Sequence, residues 1–205
     1  MNDRFFNLKR EKQDRFINAA LKIFSEHGYQ KASTDDIVRE AGISKGLLFH
    51  YFENKLGLYE FVYNYSTKLL VMEYSGNVPV FQVDFFELQK QMELAKKNIM
   101  VSYPYMNVFV EKAFREESFE VLSVVADSMD RYSENLAQVY AKADVSGFKD
   151  GIDPSAILKM CLFMADGVLN EHFRNGRIDP EAYYTEVVSY LDVLKNNLYK
   201  DERNK

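Results

Sequence analysis

Ser33-Thr-Asp-Asp-Ile-Val-Arg-Glu-Ala-Gly-Ile-Ser-Lys-Gly-Leu-Leu-Phe-His-Tyr-Phe52 is the stretch on which the reading of this 205-residue chain turns. It holds two short amphipathic segments around a glycine. Ser33 with Asp36 three residues on has the form of a capping box, and Ile37, Val38 and Ala41 give the first segment an apolar face. Gly42 suits the positive φ that ends a helix sharply, Ile43 fills the corner, and Ser44 caps the segment that follows. In that second segment Leu48 and Phe52, four apart, turn to the core, while Lys45, Gly46, Leu47, His50 and Tyr51 are left outward. This is the layout of a helix-turn-helix. Its second helix offers N–H groups and a cation to phosphates, and Gly46 removes bulk where a backbone must approach a duplex.

Working outward, apolar residues recur at helical spacing on both sides, and no stretch alternates as a strand does. The expected fold class is all-α, with an N-terminal three-helix helix-turn-helix DNA-binding domain over residues 1–54 and a C-terminal helical ligand-binding and dimerisation domain over 55–205. The first helix is expected over 9–27, with Gly28 as its stop. A long helix is expected over 55–74, followed by a linker at Gly76-Asn77-Val78-Pro79. Further helices are expected over 84–102, 104–115, 118–143, 154–174 and 180–200, with a loop over 144–151. Asp153-Pro154 and Asp179-Pro180 mark the last two starts, since aspartate caps free N–H groups and proline suits the first helical position. Arg4, Lys9, Arg10 and Lys12 read either as a frayed, solvated terminus or as a flexible arm for the minor groove.

Composition bounds the class. Hydrophobic residues make up 47% and charged residues 28%, the range of a globular protein. No apolar run is long enough to span a bilayer and the start of the chain lacks a secretion signal, so no membrane association is expected and the cytoplasm is the default. Cys161, the single cysteine, reads as a small core hydrophobe. A net charge of −5 argues against nucleic acid, but it is unevenly spread. Of 26 Lys+Arg and 31 Asp+Glu, ten and nine fall in residues 1–60, leaving that part at +1 and the remainder at −6.

So many features at matching spacing carry a resemblance. Residues from about 16 to 63 resemble the DNA-binding domain of the TetR family of bacterial regulators. The marks are Ala19-Ala20 and Phe24 before Gly28-Tyr29, Ser33 to Ile37, Ala41-Gly42-Ile43-Ser44-Lys45-Gly46, and His50-Tyr51-Phe52 before Asn54-Lys55. The resemblance implies that Ser33 and Thr34 touch phosphate, that Ser44, Lys45, Gly46 and Leu47 lie at the groove, and that Phe49, His50, Tyr51 and Lys55 flank the backbone. Leu47 departs from the threonine or small polar residue usual in the family. Phe49 stands for a usual tyrosine and has no O–H to give a phosphate.

For the remainder, the family implies a ligand cavity among the middle helices and a four-helix dimer interface made by the last two. Tyr65, Met72, Phe85, Met92, Tyr103, Met106, Phe109, Phe114 and Met129 are the expected pocket residues, since methionine and aromatic side chains suit a hydrophobic or amphipathic effector. Ala165, Val168, Leu169, His172, Tyr184, Val187, Leu191 and Leu194 are the expected dimer contacts. The expected function is a ligand-responsive repressor released from a palindromic double-stranded DNA operator by a small molecule. No cofactor and no metal is expected. An enzyme is disfavoured because His27, His50 and His172 lie far apart and no phosphate loop, HExxH or GxSxG occurs. A helical interaction module that has lost DNA binding is the second rival.

Overall fold

The computed structural model describes residues 3–78, 81–176 and 178–200. Among them the chain forms ten helices and one pair of two-residue strands. The helices are α1 (Asp3–Phe6), α2 (Arg10–Lys31), α3 (Thr34–Ala41), α4 (Lys45–Phe52), α5 (Lys55–Asn77), α6 (Phe85–Ser102), α7 (Met106–Ala113), α8 (Phe119–Tyr140), α9 (Pro154–Arg174) and α10 (Pro180–Leu198). Strands β1 (Val83–Asp84) and β2 (Ala143–Asp144) pair in parallel. The all-α class holds, and no described helix is long and apolar enough to cross a membrane.

The caps read from sequence are formed. The carboxylates of Asp153 and Asp179 accept N–H groups at the starts of α9 and α10, with proline at the first turn of each. Ser33 caps α3 by accepting from the Asp35 N–H at 3.1 Å. The reciprocal half of a capping box is not made, because Asp36 pairs instead with Arg39 one turn on.

Gly28 interrupts the first helix as expected: at φ 69° it leaves helical geometry, and a separate short helical stretch follows to Lys31. Two expectations change. The expected linker at 76–79 is helix through Asn77. The Asn77 amide donates to the Glu73 carbonyl and carboxylate, and buried Val78 closes the last turn onto the Tyr74 carbonyl. Those contacts outweigh the roughly 1 kcal/mol that glycine costs within a helix; Pro79 lies outside the described residues. The terminus is not frayed either, since residues 3–6 form α1 and Phe5 is fully buried.

The chain divides into two compact units. The first comprises Met1–Val71 with Ile99–Glu134. Its core joins Phe16, Ile17, Leu21 and Phe24 of α2 to Ile37 of α3, Leu48 and Phe52 of α4, Leu58 and Val62 of α5, and Phe109 of α7. Each such side chain contributes about 1.5–3 kcal/mol of burial. The second comprises Met72–Asn98 with Asn135–Lys205. There Phe85, Phe86, Phe148 and Tyr199 form an aromatic cluster with ring centroids 5.0–5.7 Å apart, so the expected loop after β2 is pinned by buried Phe148.

Candidate nucleic-acid interface

The turn between α3 and α4 is closed by backbone geometry that only a few residue types tolerate. Gly42 takes φ 63°, and its N–H and that of Ile43 return to the Arg39 and Val38 carbonyls at 3.2 and 3.0 Å. Ser44 Oγ then accepts from the Leu47 N–H at 3.2 Å and starts α4. With Leu48 and Phe52 buried, the opposite face of α4 is fixed outward.

Lys45, Gly46 and His50 lie exposed on that face, with Leu47 and Tyr51 half-buried at its margins and Phe49 37% exposed. Lys45 Nζ pairs with Asp35 at 2.8 Å across the turn. Both side chains are more than half exposed, so the pair is worth little in water and the ammonium is free to exchange Asp35 for a phosphate. A Cβ at Gly46 would meet nothing within 4 Å, and its φ is ordinary. The fold itself therefore does not require a glycine here, and the surface beside it is open. Ser33 and Thr34 stand half-buried at the start of α3.

Lys55 is redirected. Its ammonium has three N–H groups, and they reach the carbonyls of Tyr29, Gln30 and Ala32 at 2.8, 3.2 and 3.2 Å, with the Tyr29 ring beneath. It ties the start of α5 to the end of α2 and has no N–H left over for a phosphate. No sequence signal distinguishes the two roles, because the carbonyls it caps lie 23–26 residues away.

Comparison with known proteins fits this geometry. Residues 16–62, from α2 into α5, match the family of bacterial regulatory proteins described as tetR. The chain is 20% identical over 189 residues to the biofilm operon icaADBC HTH-type negative transcriptional regulator IcaR of Staphylococcus aureus, covering 89% of this chain and 98% of that one. Residues 16–62 thus carry a TetR-type DNA-binding domain, and the chain is a DNA-binding regulator of transcription rather than an enzyme. It is also 25% identical over 142 residues to the Bacillus subtilis HTH-type regulator YuxN, covering 65% of this chain and 47% of YuxN. Two solved structures share the fold. The TetR-family regulator PfmR of Thermus thermophilus superposes with TM-score 0.59 at 22% identity, over 91% of this chain and all of that one. Bacillus subtilis FadR in complex with stearoyl-CoA superposes with TM-score 0.56 at 15% identity, over 86% of this chain and 96% of that one.

The residues expected from the sequence to line a sensor pocket or a dimer interface fall in both units. Tyr65, Tyr103, Met106, Phe109, Phe114 and Met129 lie in the first unit. Phe109 is buried against Phe24, Tyr59 and Tyr63, and Met106 is buried beside it in α7. Tyr65 and Tyr103 share a hydroxyl contact of 2.9 Å, and Tyr103 also bonds Asp14 and accepts from Arg10 Nη2 at 3.1 Å. Burial pushes the Tyr103 phenol well up, with the Asp14 and Tyr65 contacts adding to it. These two tyrosines thus fasten α5 and the α6–α7 corner to α2. Phe114 is 45% exposed beside Tyr132, and Met129 is half-buried. In the second unit Phe85 and Met92 are buried and Met72 is 70% exposed.

A polar cluster in the second unit escaped the sequence reading. Glu93 and Lys96 of α6 form a 2.8 Å ion pair with only 4% and 14% of their side chains exposed. The Tyr183 hydroxyl of α10 donates to the second Glu93 oxygen at 2.5 Å. Burial lowers the Lys96 pKa, but Glu93 and the phenols of Tyr183, Tyr74 and Tyr140 more than offset this and hold the ammonium well above its ordinary value. One turn before Glu93, the buried Gln89 amide nitrogen has no hydrogen-bond partner. Charged residues at i and i+3 look like surface from sequence, which conceals such a cluster.

The expected dimer contacts divide by burial. Ala165, Val168, Leu169, Val187 and Leu191 are buried by their own unit, and the His172 ring lies near Tyr183 and 3.4 Å from Glu186. Tyr184 and Leu194 are half-buried. The buried ones among them belong to the core of their own unit, while His172, Tyr184 and Leu194 keep part of their surface open. A second stripe is open: Met160, Phe163 and Gly167 on α9, and Tyr190 and Val193 on α10.

Proposed function

We propose that this protein is a homodimeric cytoplasmic repressor that grips a palindromic operator with two copies of α4 and releases it when an amphipathic small molecule occupies the second unit. The observation that carries the DNA reading is the outer face of α4, where a fold-dispensable glycine stands between a loosely held lysine and exposed His50. Ser44 fixes the start of α4, Lys45 and Gly46 meet the groove, and Leu47 reads at most a thymine methyl. Ser33, Thr34, His50 and Tyr51 hold phosphates on either side. The likeness to IcaR, a negative regulator, favours repression.

The open stripes of α9 and α10 support dimerisation, because two-fold symmetry lets one apolar face cover its own copy. The Gln89 donor and the Glu93–Lys96–Tyr183 cluster, in the unit that also buries Phe85, Met92 and Cys161, favour an effector with an apolar body and a hydrogen-bond acceptor. Release is a linkage: an effector that prefers the conformer with α4 helices off the groove spacing lowers DNA affinity by its differential binding free energy. Helix α5, beginning just after α4 ends, carries the change.

Selection of duplexes from random DNA tests this reading. The purified protein should enrich a palindrome and bind it with strong salt dependence. A Lys45→Ala, Tyr51→Ala double variant should remain dimeric and lose that binding. Undiminished binding by the double variant would remove α4 from the interface.

A further inference from the structure

Residues 3–15, ahead of the stretch that matches the family, are built onto the back of the reading helix through Phe5. The Phe5 ring is fully buried, edge-on to Phe16 at 5.6 Å, Tyr51 at 5.8 Å and Phe61 at 5.0 Å, and tilted against Phe52 at 5.3 Å. Helices α2, α4 and α5 therefore close on one side chain. The backbone around it is tied as well: Gln13, itself buried, donates from Nε2 to the Phe6 and Leu8 carbonyls at 3.0 and 2.7 Å, and the Leu8 N–H returns to Phe5.

We propose that this strap delivers Arg4 to a DNA phosphate beside Tyr51, making it a backbone contact outside the helix-turn-helix. The inference rests on the DNA-reading assignment above. Arg4 adjoins a residue whose ring touches Tyr51, its side chain is exposed, and it makes no ion pair among the described residues. Arg10, the next arginine, differs: Asp14 and the Tyr103 hydroxyl hold it within the first unit. Lys9 and Lys12 are exposed but lack an aromatic anchor beside them. Because Phe5 orders the strap when the domain folds, binding does not have to order it again, as it would a flexible basic arm. Guanidinium also suits a phosphate through paired N–H donors.

Salt dependence reads phosphate contacts directly, which a purely structural role would not move. The probe is the duplex that the parent enriches from random DNA, with affinity measured by fluorescence anisotropy over a potassium chloride series. Arg4→Ala should reduce the slope of log K against log salt by about 0.9 per subunit, hence about 1.8 for a dimer, and Arg4→Lys should restore it. Phe5→Ala should weaken binding, and Arg4→Ala should cost less in that background than in the parent, since the anchor is already gone. An unchanged slope for Arg4→Ala in a protein that still binds its duplex overturns this inference and leaves the DNA reading standing. Strictly additive Arg4 and Phe5 effects overturn the anchoring. A parent that enriches no duplex overturns the DNA reading itself.

Discussion

Phe163→Ala should dissociate the dimer before it harms the fold. Phe163 is 63% exposed on α9, so of the roughly 200 Å² of a phenylalanine side chain about 130 Å² is open to a partner. At about 25 cal/mol per Å² its coverage contributes about 3 kcal/mol. A two-fold axis presents the same residue from each subunit, which doubles this to about 6 kcal/mol. Alanine keeps roughly a third of that apolar surface, leaving a loss of about 4 kcal/mol, a shift of about a thousandfold in the dimer Kd. Phe163→Lys should go further by setting a charge from each subunit in the covered face. Sedimentation equilibrium across nanomolar to micromolar protein reads the mass, and thermal unfolding of the separated monomer checks the core. Operator binding should fall with dimer content, because a lone subunit holds half the palindrome. A Phe163→Lys protein that stays dimeric at nanomolar concentration would show that this face is not the interface.

Gly46→Leu should leave thermal stability equal or higher, since leucine is the better helix former by about 0.7 kcal/mol, while operator affinity falls at least tenfold; parental binding by this variant would refute the close approach at Gly46. Lys96→Met should destabilise by about 3–5 kcal/mol by stranding the Glu93 carboxylate, and Glu93→Gln added to it should recover much of the loss. Additive effects in denaturant titrations would deny that the pair is buried as a unit. Cys161 is pushed up to about 12 by burial, with Glu93 adding to it, so at pH 8 it should resist iodoacetamide until the chain is unfolded in urea. The native thiol keeps its proton where the unfolded one, near 9, loses it, so this group's contribution should make stability fall as pH rises from about 9 toward 12.

The elements that the sequence reading placed correctly are those whose cause is local. Ser44, Gly42 and the Asp-Pro pairs act on backbone groups within four residues, and their geometry follows from residue type alone. The readings that changed depended on distant partners. Gly76 and Asn77 look like a linker until Val78 is seen buried, and Phe5 looks like a loose end until four aromatic rings from three helices surround it. The dimer positions show a related effect: periodicity finds an apolar stripe but is blind to whether the chain itself or a copy covers it, and five of the eight are buried within their own unit.

By itself, then, the order of residues determined the all-helical class, the caps, the turn at Gly42 and the outward set on α4, because hydrogen bonds of short reach and a 3.6-residue period specify them. Tertiary structure alone decided that Lys55 serves carbonyls of α2, that Glu93 and Lys96 sit inside with Tyr183, that Phe5 braces the reading helix, and which faces of α9 and α10 stay open. Burial is a property of the whole packed chain. A residue's desolvation and its partner are set only once segments far apart in sequence have met.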